Sequence, residues 1–216
     1  MGTWVIRRRI KKYKKIKWDK MNYIDVLNNV KKYEPLNEAE KCDKEQIIWL
    51  LENYKEKAFS RDLMFGHITA SGIVIDESHE YMLMCFHNIY KSWAWLGGHA
   101  DGEMDLEKLS EREILEETGL SSIKLCLDSF SSMEVLSVDG HIKKGKYVPT
   151  HLHYNLTYLY IGDKSKQVYI KPDENSNVKW IKIKDLYEHV KNDHDMYHIY
   201  KKSLERIVCK DLFRVE

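Results

Sequence analysis

The chain has 216 residues and a formal net charge of +1, with 43% hydrophobic and 32% charged residues. That length suits one sizeable core with a small extra element. The near-zero charge argues against bulk nucleic acid as a stable partner. No apolar run approaches the roughly 18 residues of a membrane span.

The cysteines are widely scattered and form no CxxC pair. They are Cys42, Cys85, Cys126 and Cys209. This pattern suits free thiols in a reducing compartment and excludes a zinc ribbon built from cysteines. The basic N-terminus is not followed by the apolar segment of a signal peptide. We therefore expect a cytoplasmic protein.

Residues 1–20 form a basic stretch, with Arg7, Arg8, Arg9 and six lysines among them. Such a stretch is typical of an arm that binds nucleic acid or an anionic membrane, or of an incidental extension. We favour the extension, and apolar residues such as Trp4 and Trp18 leave open that it packs on the fold.

Helices are expected at 21–34 and from Glu45 to about Ala58, because apolar residues recur there at helical spacing. Asn37 is a plausible N-cap, and Glu40 three residues later resembles the second half of a capping box. No Gly-, Pro- or Ser-rich linker follows this region. We therefore expect residues 21–60 to pack on the main fold, and these helices leave a homodimer open.

Residues 66–76 are rich in β-branched side chains and predict a strand, which forms a hairpin with residues 80–87. A further strand ends at Trp95-Leu96 and leads into a loop with Gly97 and Gly98. A helix from about Asp105 to Glu117 follows. The two glycines let the backbone of this loop closely approach a bound group.

That helix carries the most informative residues of the chain. Glu113, Glu116 and Glu117 are spaced i,i+3 and i,i+4, so their carboxylates share one face and repel one another. A hard divalent cation turns such a cluster into a binding site. Arg112, four residues before Glu116, is placed to orient a carboxylate. Gly119 fits a C-terminal cap, which argues against a merely solvated acidic face.

Beyond Gly119, strands are expected at 123–127, 133–138, 151–161 and 178–181, and helices at 184–190 and 194–208. This order fits a mixed sheet between helices. His151 and His153 alternate onto one face of a strand. That face either looks into the site, to touch phosphate or metal, or serves the sheet structurally. Imidazole is a poor ligand for Mg²⁺.

The segment from Gly98 to Leu120 resembles the Nudix box, Gly-x5-Glu-x7-Arg-Glu-apolar-x-Glu-Glu-x-Gly-apolar. Gly98 fits the first glycine, and the second half, from Arg112 to Leu120, fits without exception. Met104 departs from the pattern, since a glutamate is expected there. The loop Gly97-Gly98-His99-Ala100-Asp101-Gly102 is similar to that of a bacterial Nudix subgroup.

The resemblance implies a Nudix-like α/β/α sandwich of the α/β (α+β) class, with a mixed sheet and added N-terminal helices. The expected division is 1–20 extension, 21–60 helical segment and 61–216 Nudix hydrolase domain. The implied enzyme is a pyrophosphohydrolase. It would cleave a diphosphate bond in a nucleoside diphosphate linked to another group, by attack of water on phosphorus.

The resemblance also assigns residues to roles. Metal ligands for Mg²⁺, with Mn²⁺ as an alternative, are expected at Glu113, Glu116 and Glu117, which together with Arg112 form the catalytic set. Glu174, in an acidic loop before a tryptophan-bearing strand, is a candidate base, although from the sequence alone we favour an ordinary solvated loop there. Substrate contacts are expected at Gly97, Gly98, His99 and Asp101, the last two binding phosphate or supporting the loop.

Two alternatives belong to other functional classes. Met104 leaves open a Nudix-fold nucleotide-binding or regulatory protein that has lost catalysis. An isomerase of prenyl diphosphates would need a cysteine and a glutamate in the pocket. Cys85 is the only cysteine near the loop in sequence, and burial in an apolar strand explains it without catalysis.

Overall fold

The computed structural model describes residues 21–89, 91–143, 145–192 and 194–207. The basic stretch 1–20 and the predicted helix end at Val208 lie outside the described residues. The helices are α1 (Tyr23–Lys32), α2 (Glu38–Tyr54), α3 (Leu106–Thr118), α4 (Leu186–Val190) and α5 (His194–Leu204), with 3₁₀ turns at Lys55–Phe59 and Ile183–Asp185. None of the described helices is long and apolar enough to cross a membrane.

The strands are β1 (Gly66–Asp76), β2 (Tyr81–His87), β3 (Ser92–Ala94), β4 (Leu96–His99), β5 (Ile123–Leu125), β6 (Ser132–Val138), β7 (His141–Lys143), β8 (Lys146–Val148), β9 (His151–Gly162) and β10 (Asn175–Lys182). β1 runs parallel to β9 and antiparallel to β2 and β4. β9 pairs antiparallel with β5 and β6. The expected mixed sheet is therefore confirmed.

Buried side chains lie on both faces of this sheet. Ile68, Ala70 and Val74 of β1 belong to a core that includes side chains of α1, α2 and α3. Ile73 and Ile75 point to the opposite face and join the core under α4 and α5. The strand is buried on both sides, as expected for a central strand covered by helices. The α/β/α sandwich is thus confirmed.

The N-terminal helices differ in detail from their prediction. Asn22 caps α1 and forms a full capping box with Asp25. Asn37 caps α2 and accepts a bond from the Glu40 N–H, so α2 begins at Glu38 rather than Glu45. The Glu40 carboxylate does not return to the cap. It accepts bonds from Leu36 N at 2.6 Å and from two partners across the core.

Candidate active site

The glycine loop lies on β4, which pairs with β1. A Cβ at Gly97 would come within 2.4 Å of the Ala70 carbonyl oxygen, so only glycine fits against β1 there. A Cβ at Gly98 would come within 2.9 Å of Cδ of Glu113. Gly97 therefore lets β4 lie close against β1, and Gly98 lets β4 lie close against the Glu113 carboxylate of α3.

Helix α3 is held at both ends by its own sequence. The Asp105 side chain accepts a bond from Lys108 N at 3.2 Å, as an N-cap does. Gly119 adopts a left-handed conformation with φ of 71° and donates to the Leu115 carbonyl oxygen at 2.9 Å. Leu109 and Ile114 are buried in the core. This packing fixes the rotation of α3, and its acidic face turns towards the glycine loop.

The three carboxylates of α3 differ in their surroundings. Glu117 is buried and accepts a bond from Gly97 N at 3.2 Å, whereas Glu116 is half exposed. Burial raises the pKa of Glu117 to about 8. The hydrogen bond from Gly97 N opposes this rise, whereas the charges of Glu174 and Glu113 add to it. Burial raises the pKa of Glu113, and the negative charge of Glu116 raises it further. Burial and mutual repulsion thus disfavour the charged form of these carboxylates, and a bound cation would stabilise it.

Two basic side chains contact this group. Arg112 places Nη2 at 3.5 Å from Glu113 and Nε at 4.0 Å from Glu116. Lys171 places Nζ at 3.4 Å from Glu116 and at 3.2 Å from Glu174. Lys171 was missed as a site residue by the sequence analysis. Its position in the segment just before Glu174 was the only signal that pointed to it.

These residues line one cleft of about 1010 Å³. Its lining includes Gly97, Gly98, Glu113, Glu116, Glu117, Lys171 and Glu174. Glu174 lies in a turn just before β10, where its carbonyl oxygen accepts a bond from Asn88 N at 3.0 Å. The structure therefore brings the turn of Glu174 to the same cleft as the box carboxylates. A space of this size accommodates a nucleotide-sized ligand.

Met104, which replaces the expected glutamate, packs half-buried against the main core. Its neighbour Glu103 accepts bonds from the N–H groups of Met104 and Asp105 at 2.9 and 3.0 Å. Glu103 therefore supports the start of α3 with its carboxylate.

His99 and Asp101 line the same cleft, but their direct partners are other protein side chains. The Asp101 carboxylate forms two hydrogen bonds of 2.6 Å with Arg61. The His99 ring lies 5.1 Å from that of His67 and 4.9 Å from that of His153. Burial lowers the pKa of His99 to about 3, so its ring is uncharged at neutral pH. These contacts favour support of the loop over phosphate binding.

Asn155, the next residue on the face of His153, belongs to a buried hydrogen-bond network. Its Oδ1 atom accepts bonds of 2.9 Å from the hydroxyls of Thr69 and Ser71. Its amide nitrogen donates to Glu134 at 3.2 Å. The network ties β1, β9 and β6 together in the wall of the cleft, which fits the structural interpretation for this part of the strand.

Cys85 is buried, and its thiol lies 3.9 Å from Oε2 of Glu117. Burial, followed by the charge of Glu117, raises the pKa of this thiol far above its usual range. The thiol therefore stays protonated at neutral pH, a state that is unsuited to a nucleophile.

Comparison with known proteins extends this picture. The family model described as NUDIX domain matches residues 66–203, more than half of the chain. No curated protein matches the chain significantly in sequence. Among solved structures, a C. elegans Ap4A hydrolase in a binary complex has 18% sequence identity to this chain and a TM-score of 0.48. The match covers 62% of this chain and 93% of the hydrolase chain.

Two bacterial structures are also similar to this chain. A NUDIX-family hydrolase from Clostridium perfringens has 19% identity and a TM-score of 0.47, covering 66% of this chain and 98% of its own. A MutT NUDIX hydrolase from Burkholderia pseudomallei has 19% identity and a TM-score of 0.40, with the same coverage of 66% and 98%.

Proposed function

Since this chain belongs to the Nudix family, we propose that it is a metal-dependent pyrophosphohydrolase of a nucleoside diphosphate linked to another group. Water would attack phosphorus and release two phosphate-bearing products. The observation that carries the proposal is the meeting of Glu113, Glu116, Glu117 and Glu174 at one cleft, beside the Gly97-Gly98 loop.

The donor set fits a hard divalent ion. Carboxylate oxygens are the ligands that Mg²⁺ and Mn²⁺ prefer, and at Glu117 and Glu113 burial disfavours the charged form in the absence of a cation. Glu113, Glu116 and Glu117 would hold the ion. Such an ion, when bound, neutralises substrate charge and lowers the pKa of bound water.

The other side chains of the cleft supply position and charge. Gly97 lets β4 lie close against β1, and Gly98 lets the Glu113 carboxylate approach the β4 backbone. Arg112 holds Glu113 and Glu116 in place, and Lys171 offers an ammonium group beside Glu116. Glu174 is our candidate to accept the proton of the attacking water, since its carboxylate is at the cleft and is steadied by Lys171. Asp101 would act on the loop through Arg61.

The proposal is tested by exchanging carboxylates for amides of the same shape. Glu116→Gln and Glu117→Gln should each abolish Mg²⁺-dependent hydrolysis while the melting temperature stays near that of the wild type. Glu111→Gln is the matched control, because Glu111 lies on the same helix but does not line the cleft. Full turnover in both site variants would refute the assignment.

A substrate panel complements the variants. Nucleoside triphosphates, sugar nucleotides, dinucleotides and ADP-ribose would be incubated with Mg²⁺ or Mn²⁺, and released phosphate or nucleotide measured. We expect cleavage of at least one nucleoside diphosphate derivative and none after chelation. Binding of nucleotides without any cleavage would instead favour the regulatory protein that Met104 leaves open.

A further inference from the structure

A cluster of histidines lies at the strand ends that border the cleft. The cluster comprises His67 of β1, His99 of β4, and His151 and His153 of β9, and one ring nitrogen of each lies within 4.8 Å of the others. The parallel pairing of β1 with β9 sets His67 directly opposite His153. Three strands that are distant in sequence thus contribute to one group of imidazoles.

The buried members of the cluster have the features of ligands. His67 is buried, and within the described part of the chain neither of its ring nitrogens has a hydrogen-bond partner. Buried polar atoms are rarely left unpaired in native proteins, so an unpaired ring that faces three others points to a missing ligand.

The hydrogen bonds of His151 define where its lone pair points. Its Nδ1 atom lies 2.8 Å from the Pro149 carbonyl oxygen, which only accepts, so Nδ1 carries the proton. Its Nε2 atom then carries the lone pair, which faces Nε2 of His153 at 3.2 Å and can be donated to a metal instead. A carbonyl that fixes the tautomer through the far nitrogen is the usual support of a metal-binding histidine.

The spacing suits a small tetrahedral ion. Zinc–nitrogen bonds of 2.0–2.1 Å place neighbouring ligand atoms about 3.3 Å apart in a tetrahedron. The pair His151 and His153 already has this separation, and the other nitrogens need to move by about 1.5 Å or less to reach it. Imidazole nitrogen suits zinc and related transition metals, whereas Mg²⁺ prefers the oxygens of the carboxylate site.

We propose that His67, His99, His151 and His153 form a second metal site, which binds one Zn²⁺ ion through four imidazole nitrogens. Four protein ligands close a tetrahedron, so the ion has a structural role. It ties β1, β4 and β9 together and holds His99, which directly follows Gly98 of the glycine loop. The site is independent of the proposed hydrolysis and is separate from its carboxylates.

The test is a titration of the full-length, chelator-treated protein with ZnCl₂ in excess MgCl₂, which occupies carboxylate sites. We expect one tightly bound Zn²⁺ per chain and a higher melting temperature with zinc. Co²⁺ bound instead should give the intense visible absorption of tetrahedral coordination. His67→Phe and His153→Gln should each weaken zinc binding by at least about 100-fold. Even the loss of a residue that only hydrogen-bonds to a metal ligand lowers metal affinity by about 10–100-fold.

Two controls separate this site from the carboxylates. His189→Ala, which removes a histidine of α4 outside the cluster, and the double variant Glu116→Gln, Glu117→Gln should bind zinc like the wild type. Circular dichroism establishes that each variant is folded. Should His67→Phe not fold, His153→Gln decides, because its ring is partly exposed. Unchanged zinc affinity in a folded ligand variant, or no stoichiometric zinc in the wild type, would overturn the proposal.

Discussion

Gly97 and Gly98 are neighbours, but their missing side chains serve different purposes. At Gly97 the atoms that a Cβ would meet include backbone atoms of β1, at 2.4 Å from Ala70 O and 2.6 Å from Ser71 Cα. At Gly98 they are side-chain atoms of Glu113, at 2.9 to 3.2 Å. Strand backbone cannot yield without loss of pairing, whereas a glutamate side chain can rotate.

This difference predicts opposite outcomes for two alanine substitutions. Gly97→Ala should lower the melting temperature strongly, because β4 must separate from β1. Gly98→Ala should leave the melting temperature nearly unchanged but reduce hydrolysis by about 10- to 100-fold, because it displaces Glu113. Thermal denaturation and Mg²⁺-dependent turnover measured on both variants check the prediction. It fails if Gly98→Ala destabilises the protein as much as Gly97→Ala does.

His87 provides a pH-dependent contribution to stability. Its Nδ1 atom accepts a bond from Ile89 N at 3.2 Å. Burial, followed by the charges of Lys143 and His141, lowers its pKa from 6.5 to about 4. Between about pH 6.5 and pH 4, His87 therefore binds a proton in the unfolded chain but stays uncharged in the folded chain. Stability is lost as the pH falls through this window.

Replacement by an uncharged acceptor should remove that dependence. His87→Gln cannot take up a proton, so its free energy of unfolding should fall less between pH 6.5 and pH 4 than that of the wild type. The full difference corresponds to at most about 3 kcal/mol. Urea denaturation at several pH values measures it. Parallel curves for the two proteins would show that His87 does not contribute.

At the scale of elements, a buried charge cluster links α2, α5 and β6. Lys202 of α5 lies 3.1 Å from Glu40 of α2 and 3.1 Å from Glu134 of β6, and its side chain is only 11% exposed. Glu40 is fully buried and also accepts bonds from the Tyr33 hydroxyl and Met133 N. The lysine is thus the cation that balances two buried carboxylates.

Removal of that cation should be costly. Lys202→Met leaves Glu40 and Glu134 buried without their counter-ion, which should reduce the free energy of unfolding by about 3–5 kcal/mol. Lys191→Met is the matched control. It breaks an exposed pair with Glu188, at 2.9 Å, which solvent screens, so the loss of stability should be small. Urea unfolding compares the two, and equal losses would contradict the buried role of Lys202.

The elements that could be predicted from sequence are those with local signals. Helix α3 was predicted nearly to its ends because Gly119 and the apolar spacing mark it, and β1 was predicted with its observed bounds. The predicted start of α2 at Glu45 was wrong, because the polar residues after Asn37 hide the apolar periodicity of its first turns. The short hairpin of β7 and β8 was not predicted.

Long-range contacts explain what the sequence analysis could not find at the site. The alternation of His151 and His153 was visible, but His67 joins them only through the parallel pairing of β1 and β9. Glu40 and Lys202 are far apart in the sequence, so the capping-box interpretation was the only one available locally. The contacts of Lys171 with Glu116 and Glu174 likewise depend on how the turn before β10 folds back over α3.

At the scale of the whole molecule, the N-terminal helices share one core with the sheet. Val26 and Val30 of α1 and Leu50 and Leu51 of α2 belong to the same buried cluster as Ile68 of β1 and Ile114 of α3. The part that the family model matches begins only at residue 66. The matched part therefore depends on apolar side chains from outside it to cover one face of its sheet.

This shared core predicts that residues 61–216 do not fold alone. The lost segment buries Val26, Val30, Ile47, Leu50, Leu51 and Phe59. At about 1.5–3 kcal/mol for each fully buried side chain, their removal costs on the order of 10 kcal/mol, comparable to the whole stability of a typical domain. The truncated chain should show no cooperative thermal transition. A chain that starts at Met21 keeps every one of these side chains and should unfold cooperatively. Cooperative unfolding of residues 61–216 near the wild-type temperature would mean that α1 and α2 are not part of the folding unit.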